Sequence, residues 1–277
     1  MDKETLPSNF PNIDDKIELA RDLVREQNFV QARKFLEELI KLSPKHPDIN
    51  YLLGQLYEVE ENYKKAVECF VILLEYDASY ELRCRIAQCF LDGEDYDKAY
   101  MLFKELYQEN CEDLNVVEQF AHVSRIIGQV DEAVIAYNFM LDTDKNNLVA
   151  LTQLSEIYYD LEDKMNHYLI KAKLNYIENM LSSAADCLKK ALNYSSDDED
   201  IINILLNLGK VLTEAGKYHD AMEQYQFILN LEPDNHMAKE QIKFLTKKIE
   251  KYDEEAEWEE ETSSGWVAKL VAFFGFF

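Results

Sequence analysis

The chain has 277 residues, 47% of them hydrophobic and 12% aromatic, with only 7 Gly and 5 Pro and a formal net charge of −25. That length and apolar share suffice for a sizeable core, and so little turn punctuation points to an all-helical protein. A field this negative repels phosphate backbones and anionic lipid, which excludes nucleic acid as the main partner and favours a neutral or basic one.

Residues 1–12 are polar, contain Pro7 and Pro11, and have no apolar run that could serve as an export signal, so they are expected to be a flexible lead-in. A first helical hairpin is predicted from about Ile13, where Asp14 and Asp15 suit a helix N-terminus, through Ala32 and Leu36 to Pro44. A second starts near Pro47 and Asp48 and carries Leu53, Gly54, Tyr57, Tyr63, Ala66, Phe70 and Leu73. The third is centred on Ala99 and Phe103 after an Asp92-Gly93-Glu94-Asp95 turn, and the fourth on Ala133 and Tyr137 after Gly128. The small residue expected at each helix crossing thus recurs at 32, 66, 99 and 133, steps of 34, 33 and 34 residues. The register then slips. Leu151, Leu154 and Tyr158 suggest the first helix of a repeat, 164–180 suggests another, and Ala184, Leu188 and Ala191 fit a second helix, so 148–200 is expected to be a degenerate repeat fused to a regular one.

The most complete copy follows: Leu208-Gly209, Leu212, Gly216, Tyr218, Ala221, Tyr225, Ile228 and Pro233. It encodes two short amphipathic helices with a close approach at Gly209 and Ala221 and a stop at Pro233. A hairpin of this size cannot bury both of its apolar faces alone, so stacked copies are required. A polar helix over 236–252, rich in lysine, is expected to cap the stack. Beyond it come an acidic linker, 253–265, and an apolar tail, 266–277, which is too short to span a bilayer, a task needing about 20 residues. The tail docking residues are Trp266, Leu270, Phe273, Phe274, Phe276 and Phe277, for which self-docking, a partner groove and a membrane interface all stay open.

The Leu-Gly, Tyr, Ala, aromatic and Pro marks at a period of about 34 resemble the tetratricopeptide repeat, over residues 13–235. The resemblance implies an all-α, right-handed α-solenoid of about six hairpins plus the C-terminal capping helix. It also implies a non-enzymatic scaffold or adaptor that holds a partner segment in a concave groove lined by the first helix of each hairpin. The alternative is a membrane-associated assembly or secretion factor tethered through the tail. Counting back from each crossing Ala places Ile17, Arg21, Arg25, Tyr51, Gln55, Glu58, Arg85, Gln88, Glu118, His122 and Arg125 on that groove. Of these, Arg21, Arg25, Tyr51, Gln55, Arg85, Gln88, His122 and Arg125 form the candidate partner-binding set. Four of the six arginines fall there, which suggests a partner segment bearing a carboxylate, since guanidinium forks onto carboxylate. The alternative is that they neutralise acids on adjacent helices.

The clamp of co-chaperones that hold the acidic end of heat-shock chaperones is not matched: its positions carry Ile17, Arg21, Leu52, Glu81 and Arg85, of which only Arg85 fits. No nucleophile, acid–base pair or metal-ligand spacing stands out, so no catalytic residue, metal or cofactor is expected. Five cysteines without a C-x-x-C pair read as reduced thiols, which predicts a cytoplasmic protein, with the inner face of a membrane open through the tail. Nothing in the chain identifies the partner or the oligomeric state.

Overall fold

A computed structural model describes residues 12–251, and among them there are fourteen helices and no strand. In chain order these are α1 (Ile13–Arg25), α2 (Phe29–Leu42), α3 (Pro47–Val59), α4 (Tyr63–Leu73), α5 (Tyr80–Asp92), α6 (Tyr96–Glu109), α7 (Leu114–Ile126) and α8 (Val130–Thr143). They continue as α9 (Leu148–Asp160), α10 (Lys164–Ile177), α11 (Leu181–Leu192), α12 (Asp198–Glu214), α13 (Tyr218–Leu231) and a last helix, α14, over 236–251. The architecture is the all-α stack of helical hairpins that the repeat marks predict. The chain divides into two compact units after Thr143, the first holding α1–α8 and the second α9–α14. The lead-in as far as residue 11, the linker and the tail with all its docking residues lie outside the described residues. No described helix is long and apolar enough to cross a membrane.

One turn type builds the hairpins. Gln27, Glu61, Glu94, Gly128, Glu162, Asn179 and Gly216 all have positive φ, between 56° and 82°. Each follows a helix, and the next N–H reaches back to a carbonyl five residues earlier, as in Asn28 to Leu23 (2.9 Å), Asn62 to Tyr57 (2.7 Å) and Met180 to Asn175 (2.8 Å). This is a Schellman closure, which satisfies the orphan carbonyls of the ending helix and reverses the chain. Seven residues before each left-handed residue stands a small side chain, and five after it stands the crossing residue. Ala20, Ala87 and Ala121 on the first helices and Ala32, Ala66, Ala99, Ala133 and Ala221 on the second are all fully buried.

The same turns explain the slip in register. They step by 34, 33, 34 and 34 residues as far as Glu162, then by 17 to Asn179 and by 37 to Gly216. The short step is half a period: α10 closes a hairpin with α9 and opens another with α11, so one helix serves two repeats. It carries His167 at the crossing position toward α9 and Ala172 at the small position toward α11, and only Ala172 is buried. The degenerate repeat expected over 148–200 is therefore a shared helix. In the second unit, α14 buries Ala238 and Leu245 in the core and leaves Met237 and Phe244 exposed.

Four of the seven left-handed positions are held by glutamate or glutamine, residues that strain there, because Cβ crowds the carbonyl by about 1–2 kcal/mol. Glu61→Gly and Glu162→Gly are therefore expected to stabilise the protein by about 0.5–1 kcal/mol each, after the larger chain entropy of glycine is subtracted. Gly128→Ala is expected to destabilise it by a similar amount, although a Cβ there would meet nothing within 4 Å. Chemical denaturation of the three variants checks the signs, and equal stability of all three would remove the strain argument.

Candidate functional site

The predicted groove residues of the first unit fall on α1, α3, α5 and α7, the first helices of four consecutive hairpins. Their side chains join one helix to the next. Arg21 of α1 donates to Asp48 of α3 at 2.7 Å and to Glu18 on its own helix at 3.2 Å. Arg25 spans Asp22 at 2.8 Å and Glu18 at 3.4 Å, with two-thirds of its side chain in solvent.

The centre is Arg85 of α5. Its Nε lies 2.9 and 3.0 Å from the two carboxylate oxygens of Glu58 on α3, and Nη2 donates to Glu58 as well. Its Nη1 donates to the Tyr51 hydroxyl at 3.3 Å. The guanidinium sits over the rings of Phe70 (4.9 Å to the centroid) and Tyr51 (5.5 Å). The Cys89 thiol donates to Glu58 Oε1 at 3.2 Å. The Glu58 hydrogen bond raises the Arg85 pKa further, against burial, which lowers it. Burial first, and then the Glu58 bond, push the Cys89 thiol far above its ordinary value, so it stays a protonated donor. Fork, rings and thiol hold the arginine fixed.

Beside this cluster lies a cavity of about 340 Å³ lined by Asp48, Tyr51, Tyr76, Glu81, Leu82 and Arg85, among others. Tyr51 is 42% exposed and presents one face there. Gln88 is tied to Asp92 at 2.8 Å, Gln55 is half-buried, His122 is exposed, and Arg125 sits in the last turn of α7. The structure thus brings Tyr51 and Arg85 together and places Arg21 on the neighbouring helix, against Asp48 at the rim of the same cavity.

The expectation of a basic strip poised for a partner carboxylate needs correction in its electrostatics. Arg21, Arg25 and Arg85 are each engaged by carboxylates of this chain, and Asp48 and Glu81 line the cavity. The alternative reading, neutralisation of acids on adjacent helices, describes these three. Counting along first helices also missed Phe70, which belongs to the second helix α4, and Tyr76, which lies in the turn after it.

A family model described as a tetratricopeptide repeat matches residues 23–82. Among curated proteins, the TPR repeat-containing protein YpiA of Bacillus subtilis (strain 168) is 24% identical over 262 residues, covering 91% of this chain and 55% of the relative. The tetratricopeptide repeat-containing protein trd-1 of Caenorhabditis elegans is 26% identical over 125 residues, 44% of this chain and 16% of the relative. The chain spans about half of the first of these relatives and a smaller share of the second. Among solved structures, residues 41 to the end of MamA from Desulfovibrio magneticus RS-1 superpose with a TM-score of 0.51 at 16% identity, covering 61% of this chain and 97% of that one, which shows a shared fold. Proteins built from this repeat generally mediate protein–protein interactions and are typically non-enzymatic scaffolds. Repeat marks, hairpin geometry and these matches agree: the chain is similar to tetratricopeptide-repeat proteins, and its residues 23–82 match the repeat's family model.

Proposed function

We propose that the chain is a non-enzymatic scaffold that holds a segment of a partner protein along α1, α3, α5 and α7, with Tyr51 and the adjoining cavity as the anchor. The observation that carries this reading is the Arg85 cluster. A guanidinium locked by Glu58 and two rings fixes a half-exposed tyrosine at the edge of a cavity large enough for a side chain. A rigid aromatic anchor beside a pocket is what a binding surface needs, since little ordering cost remains at the moment of association. Gln55, Gln88 and His122 add polar groups able to pair with an extended backbone, while Arg21, Arg25, Arg85 and Arg125 are read as supports of the surface. The partner segment is taken to be neutral or basic, because a carboxylate would have to displace Glu58 or Asp48 to reach an arginine.

Photo-crosslinking tests this directly. A benzophenone amino acid at Tyr51 or His122 is expected to capture a partner polypeptide from extract of the cells that express the protein, whereas one at Glu38, exposed on the second helix α2, is not. Equal capture from both faces, or capture from Glu38 alone, would overturn the assignment.

A further inference from the structure

The repeat rule fails most sharply in the α9–α10 hairpin. At the crossing pair, where the other hairpins carry Ala or Gly on both helices, this one carries Ser155 and His167. His167 Nδ1 lies 2.9 Å from the Ser155 carbonyl oxygen, an atom that can only accept, so Nδ1 carries a proton and donates it there. Next to His167 opens a cavity of about 560 Å³ lined by Tyr158, Tyr159, Tyr168, Tyr194, Asp160 and Glu162. The rings are mutually braced: Tyr168 stacks on Tyr194 with centroids 6.0 Å apart, and His167 meets Tyr168 at 5.2 Å and Tyr159 at 5.5 Å.

Two features make this a place for a positive charge. The ring faces already accept cations of the chain itself, with Lys190 Nζ 5.6 Å from the Tyr168 centroid and Lys164 Nζ 5.4 Å from that of Tyr194. Asp160 and Glu162 stand at the C-terminal end of α9, where the helix dipole is also negative. We propose that this cavity receives the guanidinium of an arginine on a partner polypeptide, stacked on the tyrosine rings and forked onto Glu162. Arginine fits better than lysine because its plane both stacks on rings and pairs with a carboxylate in two bonds. Lys164, exposed on a flexible stem, occupies part of this space and swings out when the guanidinium enters. The inference deepens the scaffold reading and rests on it only in taking the ligand to be a polypeptide.

The probe is acetyl-Gly-Arg-Gly-amide titrated into the full chain and followed by NMR, with the citrulline peptide as its uncharged isostere. Saturable binding of the arginine peptide is expected, with citrulline at least about tenfold weaker. Tyr159→Ala with Tyr194→Ala, both at exposed rings and so compatible with folding, is expected to weaken binding by about tenfold. Lys164→Ala is expected to tighten it, and Glu38→Ala, exposed on α2 in the first unit, to leave it unchanged. Equal binding of citrulline, no loss in the ring variant, or weaker binding in Lys164→Ala would each overturn the proposal; the ring result would mean that surface charge alone attracts the peptide. Crosslinking from Tyr51 and this titration address different units, so one reading can fail while the other stands.

Discussion

Gly54→Ala is expected to cost the first unit about 1–3 kcal/mol, although alanine is the better helix former by about 1 kcal/mol. A Cβ on Gly54 would stand 2.7 Å from Phe70 Cζ, closer than real carbon contacts allow. The ring has little room to retreat, because Phe70 is fully buried and the Arg85 guanidinium packs over it. The hairpin must therefore spread, losing contact along α3 and α4. The first hairpin shows the compatible combination: the equivalent positions hold Ala20 and Leu36, both fully buried. Adding Phe70→Leu to Gly54→Ala is thus expected to recover much of the loss, whereas Phe70→Ala alone, which empties the site, costs about 3–5 kcal/mol. Urea unfolding followed by circular dichroism separates these variants. A neutral Gly54→Ala would mean that the two helices move apart freely. Gly209 and Tyr225, with a Cβ distance of 2.6 Å to Tyr225 Cζ, form the same device in the second unit.

The hairpins were legible because their marks are steric. A small residue is compulsory where two helices cross closely, so the phase of Ala32, Ala66, Ala99 and Ala133 could be read without knowing anything else. The shared helix was not legible, for two reasons. His167 stands where an alanine was sought, and Lys171 stands where the other hairpins carry a ring or leucine. Local rules break there, and the tyrosine cavity lies at the same place. Within the candidate site, spacing placed Tyr51, Glu58 and Arg85 on one face, but it could not say whether the guanidinium points to a partner or to Glu58. That choice depends on side-chain geometry between residues 27 positions apart, which no local pattern encodes.

The pairing of Arg85 with Glu58 is expected to dominate the electrostatics of the first unit. Arg85→Ala should cost about 1–3 kcal/mol, because it leaves Glu58, with a side chain 22% exposed, without its countercharge. Arg25→Ala should fall within about 0.5 kcal/mol, since that pair is solvated on both sides. Glu58→Gln then separates support from recognition. It keeps the shape of the side chain, removes the charge that occupies the guanidinium, and leaves Arg85 free to accept a carboxylate from outside. A short peptide ending in a free carboxylate is therefore expected to bind the Glu58→Gln protein measurably tighter than the native protein, while an amidated peptide binds both alike. If the native protein already prefers the free carboxylate to the same degree, Glu58 does not compete for Arg85, and the arginines of α1, α5 and α7 regain the recognition role that the sequence alone suggested.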